Sequence, residues 1–191
     1  MRIGVLALQG AFREHILAIE ALGASAVAVR LPGQLDDCEG LVIPGGESTA
    51  ISKLMVAYGF YEPIAARHAD GMAVWGTCAG AILIARRIVD GVDGQRGLEL
   101  MDIAVQRNAY GRQIDSFEAD LEFDHFSDPY RGVFIRAPWI EHVGERGEIL
   151  AKYDEHIVAA REGNLMATTF HPELTGDPRI HRYFVESVVG A

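Results

Sequence analysis

The chain has 191 residues, enough to bury one hydrophobic core but short for two, which predicts a single domain spanning 1–191. Hydrophobic residues make up 49% of it and charged residues 23%, a balance too apolar for a disordered protein. The formal net charge of -10 disfavours nucleic acid and anionic membrane as partners, because both repel an acidic protein. Small substrates and protein partners remain.

Apolar runs alternate with amphipathic stretches through the first half of the chain. We expect strands at 3–8, 26–29, 40–43 and 72–75, and helices at 12–22, 48–58, 62–69 and 78–88. Strands that are apolar throughout are typical of a parallel sheet covered on both faces. The first half therefore predicts a doubly wound α/β unit, with helices on both faces of a mostly parallel central sheet.

The second half changes character, because short strand-like segments at 102–106, 117–123 and 133–135 are separated by Gly, Asp and Pro turns. Some of these strands are expected to pair antiparallel. A last apolar strand is expected at 164–170, and Asp177-Pro178 is a typical start for a closing helix that reaches Val189.

The N-terminal apolar run is too short for a secretory signal or a membrane span. The two cysteines, Cys38 and Cys78, provide no disulfide framework and no CxxC pair for zinc, which fits a reducing cytoplasm. We therefore expect a cytoplasmic protein without a structural metal.

Cys78 stands in the segment Gly76-Thr77-Cys78-Ala79-Gly80, between a predicted strand and a predicted helix. This is the setting of a nucleophile elbow, in which flanking glycines allow a tight turn that raises the central side chain above the sheet. Backbone N–H groups at a helix N-terminus favour the reactive thiolate. The other interpretation, a small buried cysteine in a glycine-rich turn, is equally compatible with this motif alone.

His171 and Glu173 follow the last predicted strand in the segment His171-Pro172-Glu173. Cysteine catalysis needs a histidine to transfer protons and a carboxylate to orient that histidine. Taken alone, the segment would be an ordinary loop with a solvated glutamate. Together with Cys78 it predicts a Cys78, His171, Glu173 triad at one edge of the sheet.

A third strand-end loop, Pro44-Gly45-Gly46-Glu47-Ser48-Thr49, follows the predicted strand at 40–43. The N–H groups of Gly46 and Ala79 could together form an oxyanion hole. A phosphate-binding loop is the alternative, but the Gly-Lys-Ser/Thr ending of a Walker sequence is missing. Glu47 and Ser48 could instead simply cap the next helix.

These motifs resemble the class I glutamine amidotransferases, which combine an elbow cysteine with a later His-x-Glu and have a flavodoxin-like fold. The likeness is greatest to the glutaminase subunits of pyridoxal 5'-phosphate synthase and covers essentially the whole chain. Its further motifs are Gly4-Val5-Leu6-Ala7-Leu8-Gln9-Gly10, Arg13-Glu14-His15, Arg107-Asn108, Asp115-Ser116-Phe117-Glu118 and Phe134-Ile135-Arg136-Ala137-Pro138.

The resemblance implies that Cys78 is the nucleophile, His171 the general acid and base, and Glu173 its orienting partner. It also implies that residues from three of the quoted motifs contact glutamine: Gly46, Glu47, Ser48, Arg107, Ile135 and Arg136. Without the resemblance, Arg107 and Arg136 would be interpreted as surface arginines.

The resemblance further implies that L-glutamine is the substrate, that no cofactor is needed, and that ammonia passes to a synthase subunit within a large hetero-oligomer. Gln9-Gly10 and the helix after it are expected near that interface. Three alternatives remain. The first, a glutaminase serving another synthase or a stand-alone γ-glutamyl hydrolase, is disfavoured by the Phe-Ile-Arg-Ala-Pro and Asp-Ser-Phe-Glu segments. The others are a flavodoxin-like binding module with an inert cysteine and a redox or protease-like cysteine protein.

Overall fold

A computed structural model describes residues 1–107 and 116–190. Asn108 and Asp115, which belong to two of the family motifs, lie outside the described residues. The strands are β1 (Arg2–Leu6), β2 (Ser25–Val29), β3 (Gly40–Ile43), β4 (Ala73–Thr77), β5 (Ala85–Val89), β6 (Met101–Gln106), β7 (Ser116–Leu121), β8 (Tyr130–Ile135), β9 (Trp139–Val143), β10 (Glu148–Tyr153), β11 (His156–Glu162) and β12 (Leu165–Thr168).

The helices are α1 (Phe12–Ala21), α2 (Ser48–Tyr58), α3 (Tyr61–Ala69), α4 (Ala79–Ile84) and α5 (Arg179–Tyr183). Short 3₁₀ turns occupy Pro32–Leu35 and Pro172–Leu174, and a π-helical segment, Phe184–Val189, continues α5. Asp177 accepts a hydrogen bond from the Arg179 backbone N–H at 3.0 Å, but Pro178, not Asp177, occupies the N-cap position of α5.

The central sheet runs in the order β2-β1-β3-β4-β12-β11-β9-β6-β5, and β10 pairs with β11. From β2 to β12 the neighbouring strands are parallel. The pairs β12–β11, β11–β9 and β9–β6 are antiparallel, while β7 and β8 form a separate antiparallel ribbon. The predicted division into a parallel first half and an antiparallel-containing second half is confirmed.

Two apolar clusters cover the two faces of this sheet. One packs α2, α3 and α4 against the sheet through residues such as Ile51, Ile64 and Leu83. The other packs α1 and the C-terminal helix through Ile19, Ile180 and Phe184, and it also takes in the β7–β8 ribbon. A sheet buried on both faces explains why its central strands β3, β4 and β12 are mostly apolar and buried at every position.

The predicted helix at 78–88 is wrong in its second half. Helix α4 ends at Ile84, and the chain continues directly as β5, which pairs in parallel with β6. The local run Ala-Ile-Leu-Ile-Ala-Arg-Arg-Ile-Val is compatible with either state, and pairing with β6 decides for the strand. Strands β9, β10 and β11 were also absent from the prediction.

Among the described residues, no helix is both long enough and apolar enough to cross a bilayer.

Candidate active site

The predicted site residues meet because the strands that precede them are neighbours. Strand β4 lies between β3 and β12, and the three run parallel, so their carboxyl ends share one edge of the sheet. Cys78 follows β4, the Gly45-Gly46 loop follows β3, and His171 follows β12. This edge is where open α/β sheets place their ligand crevice.

Cys78 occupies a strained turn between β4 and α4. Its φ of 48° and ψ of -104° are rarely adopted by a residue with a side chain, which is the backbone signature of a nucleophile elbow. A Cβ on Gly76 or Gly80 would collide with backbone atoms of α4 or β3, so both glycines are required for the close approach. The Cys78 N–H donates to the Thr168 carbonyl at 2.8 Å, which connects the elbow to β12.

His171 is held on both sides. Its Nδ1 donates to Glu173 Oε1 at 2.8 Å, and its backbone N–H donates to the Val133 carbonyl at 2.8 Å. Cys78 lines the same cavity as the imidazole and lies close enough to it to raise its pKa. Because Nδ1 is taken by Glu173, Nε2 is the nitrogen left for sulfur. The order Cys78–His171–Glu173 has the connectivity that a nucleophile, a base and its orienting acid require.

The electrostatics of this arrangement favour a charged histidine. Burial alone would lower the pKa of His171, but hydrogen bonds and charge interactions with Cys78 and Glu173 outweigh it and raise the pKa to about 10. His171 therefore carries a proton at neutral pH when it faces the thiolate form of Cys78. The Glu173 side chain is fully buried, which keeps its charge close to the imidazole and away from water.

The loop after β3 is both a helix cap and a wall of the site. The Glu47 carboxylate accepts from the backbone N–H groups of Thr49 at 3.0 Å and Ala50 at 2.7 Å, and from the Thr49 hydroxyl, so it caps α2. Partial burial opposes the charge, yet these hydrogen bonds lower the pKa of Glu47. The capping interpretation of Glu47 is therefore correct.

The Gly45–Gly46 peptide is oriented by the neighbouring loop. The Gly45 carbonyl accepts from the Ala11 N–H at 3.3 Å, and the Gln9 side-chain oxygen accepts from the Glu47 N–H at 2.8 Å. In a planar trans peptide the N–H points opposite to the C=O, so the Gly46 N–H is directed away from Ala11. Gln9 thus contacts the candidate oxyanion loop directly.

A cavity of about 410 Å³ opens above the sulfur, a size suited to a single amino acid. It brings together the predicted substrate residues and contains the nucleophile and base, and it is lined by Gln9, Gly46, Glu47, Ser48, Cys78, Ala79, Ile82, Arg107, Ile135, Arg136, Pro138 and His171. Glu173 lies behind His171 and does not line it.

Arg107 and Arg136, which motif-free sequence reasoning would place on the surface, both line this cavity. The side chain of Arg107 is only 12% exposed and approaches Glu47, with its Nη2 3.8 Å from Glu47 Oε1. Arg136 follows β8 with a φ of 42°, a strained conformation that turns the chain at the cavity rim. A planar guanidinium can bind a carboxylate with two hydrogen bonds, which is the recognition that an amino-acid substrate offers.

Several residues around the site were missed. Ile82 and Pro138 provide apolar cavity wall, and Gln95 donates from Nε2 to the Ser48 hydroxyl at 3.0 Å. His15 and His181 are buried behind Glu173. His15 belongs to a family motif, but helical spacing alone marks it only as a residue of α1's inner face.

Comparison with known proteins identifies the family. The model of the SNO glutamine amidotransferase family matches residues 5–190. The chain belongs to this family. It is 55% identical to the pyridoxal 5'-phosphate synthase subunit PdxT of Pelotomaculum thermopropionicum, over 100% of this chain and 97% of that protein. It is 56% identical to the PdxT subunit of Herpetosiphon aurantiacus, over 97% of this chain and 99% of that one.

Solved structures agree with this family membership. A crystal structure of a glutamine amidotransferase superimposes with a TM-score of 0.92 at 47% identity, covering 99% of both chains. The PurLQS structure from Thermotoga maritima matches with a TM-score of 0.70 at 16% identity, over 97% of both chains, which shows the shared fold alone. The predicted fold class and the prediction of a glutamine amidotransferase are confirmed.

Proposed function

We propose that this chain hydrolyses L-glutamine to L-glutamate and ammonia and delivers the ammonia to a pyridoxal 5'-phosphate synthase subunit. The observation that carries the proposal is the Cys78–His171–Glu173 arrangement beneath a cavity of amino-acid size, in a chain of the glutamine amidotransferase family. The relatives named as PdxT, at 54–56% identity over nearly the full length, support the choice of synthase.

In the first step the Cys78 thiolate attacks the side-chain carboxamide carbon of glutamine, and the carbonyl π electrons move onto oxygen. The N–H groups of Gly46 and Ala79 stabilise that oxyanion. The His171 imidazolium then gives its Nε2 proton to the departing nitrogen. Ammonia leaves as the carbon–nitrogen bond breaks, and a γ-glutamyl thioester remains on Cys78.

In the second step the now neutral His171 removes a proton from water, which attacks the thioester. The carbon–sulfur bond breaks, glutamate is released, and the thiolate–imidazolium pair is restored. Glu173 holds the ring so that Nε2 faces sulfur in both steps. This two-step acyl transfer uses neither a metal nor an organic cofactor.

The side chains of the cavity walls orient the substrate. Arg107 and Arg136 bind the α-carboxylate of glutamine, and Glu47 with nearby backbone carbonyls takes its α-ammonium group. Ser48 and Ile135 complete the wall on either side. These contacts orient the carboxamide toward Cys78, because the two ends of glutamine differ in charge.

The chain acts as a single domain within a large hetero-oligomer, with Gln9-Gly10 close to the synthase. Support comes from Gln9, which contacts both the cavity and the Gly46–Glu47 loop, so a docked partner can act on the oxyanion loop directly. The cytoplasm is the proposed location, because it keeps thiols reduced, and both cysteines are unpaired thiols in the fold.

The test is glutamate formation from glutamine by the purified chain, alone and with a pyridoxal 5'-phosphate synthase subunit, with Cys78→Ala as the blank. We expect turnover that rises when the synthase is present and that the Cys78→Ala variant lacks. Turnover retained in Cys78→Ala would refute the nucleophile. Absence of turnover by the folded wild-type chain in both conditions would favour a binding module with an inert cysteine.

A further inference from the structure

Two buried histidines continue the line of the triad beyond Glu173. His15, on α1, is 0% exposed, and its Nε2 lies 3.3 Å from Glu173 Oε2 and 3.3 Å from the Thr77 hydroxyl oxygen. Its Nδ1 lies 2.9 Å from Nε2 of His181, which is on α5 and 1% exposed. Trp75 packs edge-on against both rings at centroid distances of 5.5 and 5.1 Å.

This second chain of contacts reaches the oxygen of Glu173 that His171 does not use. Glu173 Oε2 is buried and makes no hydrogen bond of regular geometry with any described residue. His15 Nε2 lies 3.3 Å from this oxygen and hydrogen-bonds to the Thr77 hydroxyl at the same distance, so its N–H is not aligned on the carboxylate. Burying a carboxylate oxygen without a hydrogen-bond donor costs free energy. It therefore matters whether His15 carries a hydrogen on Nε2, the nitrogen that faces this oxygen.

His181, at the outer end of this series of contacts, determines which ring nitrogens of the two histidines carry hydrogen. His181 Nδ1 is buried and has no hydrogen-bond partner among the described residues. An N–H there would be a buried donor without an acceptor, so the His181 proton belongs on Nε2. Nε2–H then donates to His15 Nδ1, which forces the His15 proton onto Nε2, toward Glu173 and Thr77.

Both rings are neutral in this arrangement. Burial lowers the pKa of His15 well below its ordinary value, and repulsion from the protonated forms of His181 and His171 lowers it further. Burial also lowers the pKa of His181, to about 4. The groups that face His15 are Glu173, Thr77, Trp75 and the two histidines, and none of them is a second carboxylate that would charge the ring.

We propose that His15 and His181 are positioning residues for catalysis: His181 Nε2–H donates to His15 Nδ1, and the His15 Nε2–H, held 3.3 Å from Glu173 Oε2, keeps Glu173 aimed at His171. The inference rests on the proposed glutaminase function. A histidine nitrogen lies beside each oxygen of Glu173: His171 Nδ1 is 2.8 Å from Oε1, and His15 Nε2 is 3.3 Å from Oε2. The chain also connects α1 and α5 to the elbow, because Thr77 directly precedes Cys78.

Two amide substitutions at residue 15 form a matched pair. In His15→Gln the amide falls near the place of imidazole Nε2, so a donor remains beside Glu173. In His15→Asn it falls near Nδ1, so an acceptor for His181 remains but the donor to Glu173 is lost. Each variant loses one hydrogen bond of the chain, and thermal unfolding will establish that both fold.

With the synthase present, we expect kcat of His15→Asn to be about tenfold below that of His15→Gln, because the N–H beside the buried Glu173 carboxylate is lost. KM for glutamine should be unchanged, since His15 does not line the cavity. Equal kcat in the two folded variants would overturn the proposal.

Nitrogen-15 NMR of the wild-type histidine rings gives a result that does not depend on turnover. We expect Nε2–H tautomers for both His15 and His181 at neutral pH, and an Nδ1–H or doubly protonated ring at either residue would contradict the chain. A wild-type enzyme active with glutamine but indifferent to residue 15 refutes the positioning role alone. A wild-type enzyme without glutaminase turnover refutes the proposed function itself.

Discussion

Gly45→Ala tests the geometry of the site through a single methyl group. A Cβ at residue 45 would lie 2.5 Å from His171 Cε1, 3.0 Å from its Nδ1 and 3.3 Å from the Cys78 Cβ. Ordinary contact begins at 3.4 Å, so the imidazole must retreat by roughly 0.9 Å, the difference between 3.4 and 2.5 Å. The φ of Gly45 is not in the left-handed region, so the backbone itself accepts alanine.

A displacement of about 1 Å in a catalytic group costs on the order of 100-fold in rate, or about 2.7 kcal/mol of barrier. We expect kcat of Gly45→Ala to fall by about that factor in the glutamate-formation assay with the synthase present, while KM for glutamine changes little. Gly33→Ala is the matched control, because a Cβ there meets no atom within 4 Å, and it should behave as wild type. A Gly45→Ala enzyme with undiminished kcat would refute the close packing of Gly45 on His171.

Three further outcomes follow from the site and its surroundings. Arg107→Lys keeps the charge but loses the planar fork, so KM for glutamine should rise about tenfold, measured by steady-state kinetics. Iodoacetamide should label Cys78 and spare Cys38, because burial raises the pKa of the Cys38 thiol; peptide mass analysis showing early modification of Cys38 would contradict this. His181 should make the fold acid-labile: its folded-state pKa of about 4 lies below the ordinary 6.5, so the unfolded chain binds the extra proton and stability falls as pH drops from 6.5 to 4. The free energy of unfolding should lose about 3 kcal/mol over that range relative to His181→Gln, and parallel urea titrations of the two proteins would show no such divergence if His181 were charged in the fold.

The elements that sequence predicts best are those with clear stop signals. The strand at 40–43 and the helix at 48–58 have the observed bounds, because Pro44-Gly45-Gly46 ends the first and Gly59 ends the second in a left-handed conformation. The segment 85–89 was misassigned because its partner, β6, lies beyond the reach of local pattern. Strands β9 and β10 are partly exposed, and the pairing of β9, β10 and β11 is likewise decided by tertiary contacts.

The residues of the candidate site also divide into those that local sequence pattern predicts and those that only tertiary contacts bring together. Cys78, His171 and the Gly46 loop follow predicted strand ends, so a parallel sheet brings them together by topology alone. Arg107 and Arg136 follow β6 and β8, which lie outside the parallel run of strands, and only the family resemblance directs attention to them. His15 and His181 come from two helices on the opposite face, and a contact between residues 166 positions apart has no local signature.

Strand β12 has a consequence for how the enzyme is made. It follows every other described strand in the chain, yet it lies in the interior of the sheet, between β4 and β11. During synthesis the edge of β4 stays unpaired for on the order of ten seconds, at translation rates of about 5–20 residues per second. Cys78 is therefore synthesised well before His171, which follows β12. A nascent chain cannot hydrolyse glutamine until β12 has inserted between β4 and β11. The moment at which glutaminase turnover begins would then report when β12 pairs with β4. Until that moment the exposed edge of β4 is a site that a chaperone could protect.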